Sequence, residues 1–455
     1  MRKPWLAGLG WGLFGVFVVA TLLWTVSRLR GPSPAQRAAM AQLSTMPPLR
    51  GPNAFQVLWQ LPYAIPEAQR DAVFAEDVRR WKALASEPGT VDEPPSVVPE
   101  SAAAGRYPPS LTEADRARFC RRGANCLASV EADPASYIDV VARHAALLDR
   151  IESLAGHAGI RDPFGYPAVM PLARMDASGL PATRYAVAFV QGDRDGAFEG
   201  TCRAIDTWRR LGANSDTLAA RLFSAASVRA KYAELFLDML TRVPRDYPLP
   251  ALCTQAFAPP SPRESSLCDA ARGEFAYKRS VAAWAARRGT RGLERARDAL
   301  ILDEDMLLGE LAMPLAGFCS PGLAQRIRDD VRIVPDAAPA GFRRLECVSD
   351  AAGCILGAIS ESDNDFADQI QDTNARLRLV ALLLEMRSDA TDARPILARL
   401  EARHAAFGAT SRRLRLIDGG RSLCLDNYRK RLSDCWKIPL PPYFAMPAAD
   451  ASPSP

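Results

Sequence analysis

The hydrophobic pattern of the chain opens with one long unbroken run. From Pro4 to Ser27, PWLAGLGWGLFGVFVVATLLWTVS contains no charged residue, and a helix over 6–26 would measure about 31 Å, close to the hydrocarbon thickness of a bilayer. The residues that follow offer no clean small-x-small cleavage site, so the run reads as an uncleaved transmembrane anchor over 6–27 behind a short cytoplasmic N-terminus at 1–5. Beyond it the pattern becomes periodic. In PASYIDVVARHAALLDRIESLAG, Tyr137, Val141, Leu148, Ile151 and Leu154 recur at helical spacing, with His144 on the same stripe. NSDTLAARLFSAASVRAKYAELFLDML repeats the pattern through Leu218, Leu222, Ala226, Tyr232, Phe236 and Leu240. DFADQIQDTNARLRLVALLLEM carries the cleanest stripe, Phe366, Ile370, Thr373, Leu377, Val380 and Leu384. Stripes of this kind bury one helix face against another, so the predicted fold is mostly α: a single N-terminal transmembrane helix, then an irregular helical-array domain with a small C-terminal β-hairpin-bearing appendage.

Punctuation divides the chain further. GPSPAQRAAMAQLSTMPPLRGPNAF is expected to form a linker or loosely attached arm, PEAQRDAVFAEDVRRWKALA a helix, and TVDEPPSVVPESAAAGRYPPS a surface loop. Helix starts are marked at Thr112 in TEAD, at Asp133 before Pro134, and at Ser261 in SPRE, where a capping side chain precedes a first-turn proline and Glu264. SRRLRLIDGGRSLCLDNY reads as two short extended pieces around Asp418-Gly419-Gly420, while WKIPLPPYFAMPAADASPSP holds too many prolines for a regular element. The expected division is a linker with one or more short helices at 28–110, an extracytoplasmic helical domain at 111–410, a strand-bearing region at 411–442 and a disordered tail at 443–455. Within it, YAVAFVQGDRDGAFEGTCRAIDTWRR resembles a tetratricopeptide-type helical hairpin: Tyr185, Gly192, Ala197 and Ala204 match the small and aromatic consensus positions. The resemblance implies two closely packed helices. It departs at its end, where arginine replaces the usual proline, and no second copy follows in register.

Composition and charge narrow the classes. The formal charge of +5 is spread over 455 residues without a basic tract, which argues against nucleic-acid binding. Arg2 and Lys3 on one side of the anchor face Arg28, Arg30 and Arg37 on the other, leaving orientation to the ten cysteines. An even number suits disulfides in an oxidising compartment, so the expectation is a single-pass protein of a bacterial inner membrane with its bulk in the periplasm. Gly8, Gly12 and Gly15 share nearly one face of the anchor, a spacing that permits helix pairing and a homo-oligomer, although glycine is common in membrane spans.

The cysteines lack any CxxC, and the three histidines, His144, His157 and His404, form no HExxH. The expected pairings are the local ones: Cys120 with Cys126 across a turn at Gly123-Ala124-Asn125, Cys253 with Cys268, Cys347 with Cys354, and Cys424 with Cys435. Cys202 and Cys319 then remain for a fifth bond or as buried thiols. Gly-x-Ser-x-Gly and phosphate-binding glycine loops are absent from the soluble part. Carboxylates are the one open chemistry. Glu361, Asp363, Asp365, Asp368 and Asp372 group at one helix start, and Asp303, Glu304, Asp305 and Glu310 form a second acidic patch. Acidic residues also favour a first helical turn for electrostatic reasons alone, and no catalytic, cofactor-binding or metal residue is assigned. The expected function is a membrane-anchored periplasmic scaffold or adaptor that binds another envelope protein; the alternative is a carboxylate-based hydrolase acting on cell-wall glycan or another envelope substrate.

Overall fold

The structure, a computed structural model, describes residues 4–86, 100–120, 125–171, 173–287, 300–333, 345–351, 354, 364–389, 394–406, 412–429 and 435–444. The chain is mostly α, with an apolar N-terminal helix and a small C-terminal antiparallel sheet. Helix α1 (Pro4–Arg30) is long and apolar enough to cross a membrane and exposes Trp11, Phe14 and Phe17 along its flank. Its last turns are held by the body. Trp24 Nε1 donates to the Leu300 carbonyl (2.8 Å), the hydroxyls of Ser27 and Ser349 lie 2.7 Å apart, and Arg28 Nε stands 3.4 Å from Asp303 Oδ2.

The stretch after α1 differs from the expectation of a loose arm. Helix α2 (Pro34–Leu43) opens on a Ser33/Gln36 capping box and buries Ala39 and Leu43 among residues of the later helices. The apolar face is only about two turns long, too short to stand out between prolines. Helices α3 (Phe55–Gln60) and α4 (Glu67–Ser86) supply Phe55, Leu58 and Trp81 to the main core. In the expected surface loop, Gly105, Arg106, Pro108 and Pro109 are exposed while Ser101, Ala102 and Ala103 are buried: buried Asp77 accepts from Ser101 Oγ (2.7 Å), Ala102 N (2.5 Å) and Trp59 Nε1 (2.9 Å). A buried carboxylate with three donors fixes the turn at 101–103 against α4.

Helices α5 (Glu113–Arg116), α6 (Cys126–Ala132), α7 (Pro134–Arg143) and α8 (Ala145–Glu152) begin at the expected caps where these were marked, Thr112 accepting from Asp115 N and Asp133 from Ser136 N. The stripe from Tyr137 to Leu154 is not one helix. It breaks at His144, whose Nε2 reaches Asp115 Oδ2 at 3.2 Å, so this histidine stands at a helix junction beside a carboxylate. Helices α9 (Pro181–Val190) and α10 (Arg194–Ala213) form the closely packed hairpin, turning at Gly192 with φ of 96°. Ala197 and Ala204 are buried between them, and a Cβ at Gly200 would run into the Tyr185 ring. Helix α11 (Leu218–Ser227) passes through a π-turn at Val228–Tyr232 into α12 (Ala233–Leu240).

Helices α13 (Ala251–Ala256), α14 (Pro262–Ser265) and α15 (Cys268–Arg287) follow, then α16 (Glu304–Gly317), α17 (Pro321–Arg328), α18 (Asn364–Ser388) and α19 (Ile396–Ala406). Among the described residues, two large apolar cores and a small third cluster of Ile65, Val73, Ala102 and Ala103 result. The largest gathers α3, α4, α6 to α13, most of α18 and the sheet, while the second gathers α2, α15, α16 and α17 around Phe275, Leu307 and Ile327. Helix α18 feeds both, which is why its middle is buried on nearly every side.

Strands β1 (Leu414–Ile417) and β2 (Ser422–Asp426) form the expected hairpin, with Asp418, Gly419 and Gly420 all at positive φ. A third strand, β3 (Cys435–Pro439), pairs with β2 from Asp426↔Cys435 to Ser422↔Pro439. This corrects the reading of that stretch as irregular: Pro439 ends an edge strand, where a missing N–H costs little. Phe444 is buried, and the rest of the expected tail from 445 lies outside the described residues.

Five disulfides join Cys120–Cys126, Cys202–Cys253, Cys268–Cys319, Cys347–Cys354 and Cys424–Cys435. Three local pairings are as expected, and the Cys253–Cys268 pairing is overturned. Cys253 lies on α13 against Cys202 of α10, whereas Cys268 begins α15 and meets Cys319 just beyond α16. Packing of whole helices, not loop length, selects these partners.

Candidate functional site

The residues singled out for carboxylate chemistry serve separate structural partners. Asp303 caps α16, accepting from Met306 N, and faces Arg28. Glu304 and Asp305 are exposed, and Glu310 Oε1 accepts from Gln36 Nε2 at 2.8 Å. Asp368 is half-buried on α18; Glu361, Asp363 and the Asp365 side chain lie outside the described residues. Asp372 is buried and accepts from Arg412 Nη1 at 2.6 Å and from the backbone N–H of Tyr428 at 2.9 Å. Arg412 also grips Asp330 through Nε (2.6 Å) and Nη2 (2.9 Å), with its guanidinium 3.7 Å from the Tyr428 ring centroid. Asp372 therefore fastens the sheet to α18. Among the described residues, no group of three or more His, Cys, Asp or Glu is arranged to hold a metal ion.

Two concavities carry more. The larger, about 470 Å³, lies along the α9–α10 hairpin where α8 and Tyr232 close its side. Its apolar lining includes Ile151, Ala155, Pro181 and Ala188, and its charge comes from Arg184, Arg203, Glu152, Asp193 and Glu199. Arg184 is oriented by Asp149 (2.7 Å) and Glu152 (3.0 Å), whereas Arg203 pairs with Glu199 one turn away at the surface. Tyr185, one wall of the groove, has its hydroxyl pKa raised by burial. Gly196 and Gly200 keep that wall low, since larger residues at Gly200 would displace the Tyr185 ring.

The smaller concavity, about 220 Å³, sits between α3, α11 and α15 with Phe55, Ile160, Met175, Ala220 and Phe223 around it and Asp162, Asp216 and Tyr277 at its polar end. Asp162 Oδ2 accepts from Tyr277 Oη at 2.5 Å and Oδ1 from Phe164 N at 2.5 Å; Asp216 Oδ2 accepts from Tyr166 Oη at 2.9 Å and from Asp162 N at 2.6 Å. Burial pushes the Asp216 carboxyl up to about 6 and that of Asp162 in the same direction. Tyr166 holds φ of 56°, a left-handed conformation that costs a bulky residue energy. Gly273 of α15 lets the Asp216 backbone approach so closely that any Cβ there would collide with its carbonyl oxygen. The members of this pair are 54 positions apart, so no local pattern joins them; the DPFGYP turn is the local signal at Asp162.

Of the residues named from sequence, the structure brings together Tyr185, Gly192, Ala197 and Ala204 and leaves the two acidic patches on different partners. No protein-family model, curated protein or solved structure matches the chain.

Proposed function

We propose that the protein is a membrane-anchored adaptor of a bacterial inner membrane, with its body in the periplasm, that receives a segment of another envelope protein in the groove of the α9–α10 hairpin. The observation that carries this reading is the groove's lining: apolar side chains interspersed with arginines and carboxylates suit a peptide segment with apolar anchors and charged neighbours better than a compact metabolite. The apolar α1 and the five disulfides support the placement, because such bonds persist in oxidising compartments. The hydrolase alternative would rest on Asp162 and Asp216, but glycan cleavage wants two carboxyls flanking a substrate in an open cleft, and Asp216 is 1% exposed with its neighbour's N–H and a tyrosine already on it.

The test is affinity purification of the full chain from crosslinked membranes, parent beside Arg203→Glu. Arg203 is solvent-facing, so the variant should fold and keep its disulfides. Loss of one desolvated charge contact should weaken capture of a specific partner about tenfold. Equal recovery of the same proteins by parent and variant would remove the groove from the proposal.

A further inference from the structure

The end of α1 is built into the body, and the surface around that end is apolar. With the hydrocarbon layer spanned by about 6–26, Trp24 lies in the last apolar turn of α1, near the interface where tryptophan is favoured, and Arg28 and Arg30 follow at the headgroups. Trp24 is hydrogen-bonded to the carbonyl of Leu300, Ser27 to Ser349, and Arg28 lies against Asp303 while its guanidinium stands 5.4 Å from the Trp24 ring centroid. Asp303 N donates to Asp350 Oδ1 at 3.3 Å, joining the two body segments that receive the helix. Both segments turn large apolar side chains outward at this place: Leu300 is 54% exposed, Ile301 44% and Val348 42%, beside Val26 and Leu29 of α1 itself.

Single exposed apolar residues need no explanation, but a group drawn from three parts of the chain does. Its position decides the occupant. The patch lies on the segments that hold the end of α1 through Trp24, Ser27 and Arg28, where Val26 and Leu29 of α1 are exposed as well, so on the membrane-anchored reading it faces the interfacial layer. We propose that Leu300, Ile301 and Val348 form a seat on which the body rests directly on the bilayer, their side chains entering the interfacial layer around the exit of α1. This inference rests on the membrane-anchored reading of α1.

The experiment uses the full chain reconstituted in vesicles of phosphatidylethanolamine and phosphatidylglycerol, with p-benzoylphenylalanine placed singly at the positions of Val16, Ile301, Val348 and Ile138. Ile138 is an exposed residue of α7, which packs on α6, α8 and α9. After irradiation, adducts are identified by mass spectrometry, with intact disulfides as the check on folding. Lipid adducts at 16, 301 and 348, each severalfold above 138, are the expected result. Adducts at 16 with 301 and 348 no higher than 138 would overturn the seat and leave the anchor standing. Absence of lipid adducts at 16 would overturn the anchor and the seat together. Crosslinks from 301 and 348 to another protein chain in place of lipid would also overturn the seat.

Discussion

Asp216 is an acid kept out of water, and its proton is a measurable part of the fold. Burial raises its pKa to about 6 from the ordinary 3.8 of an aspartate, so the folded chain binds that proton more tightly than the unfolded chain. The stability contributed is complete below about pH 4 and is lost as pH rises through about 6. Asp216→Asn abolishes this titration. Relative to the parent, the variant's Tm should rise as pH goes from about 4 to about 7, by the equivalent of about 3 kcal/mol. Thermal melts of both proteins across that range check this, and parallel curves would contradict it. Asp115 and Glu264, whose pKa values are lowered, act with the opposite sign and cancel in the comparison. None of this was visible in the sequence, because a carboxylate's neighbours at Tyr166, Tyr277 and Gly273 are set by helix packing across the fold. The acidic patches that were visible owed their prominence to clustering, and clustering reflects caps such as Asp303 as readily as chemistry.

At the level of elements, the sheet and the helical body share an apolar core and are tied together by a buried cation, Arg412. Arg412 and its two carboxylates are 1–2% exposed, and the guanidinium satisfies Asp330 and Asp372 together. Arg412→Ala should cost about 3–5 kcal/mol, since it strands two buried carboxylates, and Arg412→Lys should recover little because a point charge cannot serve both. Denaturant unfolding of the parent and both variants measures this; a Lys variant of parental stability would show that charge alone suffices. Asp372 was legible as part of α18, yet its partner 40 residues away was not. The α9–α10 hairpin was legible because its constraint is local: Gly192, Ala197 and Ala204 are small for reasons that lie within one helical pair. Helix α2 and strand β3 were not, since neighbouring prolines masked elements that tertiary contacts stabilise.

Across the whole molecule, the mostly α class, the apolar leading helix and the terminal hairpin follow from periodicity and turn chemistry alone. Connectivity required the packing. Cys202–Cys253 and Cys268–Cys319 each close 51 residues, so paired alanine substitution at Cys202 and Cys253 should lower stability by about 4 kcal/mol. Unfolding curves of parent and double variant, with peptide mapping of the remaining four bonds, provide the measurement. A variant as stable as the parent would show that helix packing alone holds α13 to α10. Read in chain order, the ten cysteines have a further property: every bond joins a cysteine to the very next one. On the proposed periplasmic placement, the body crosses into an oxidising space in chain order behind its anchor, and the first thiol of each pair finds its native mate in the next thiol to arrive. A simple sequential oxidant can then complete the set, and bond reshuffling is needed only to repair errors.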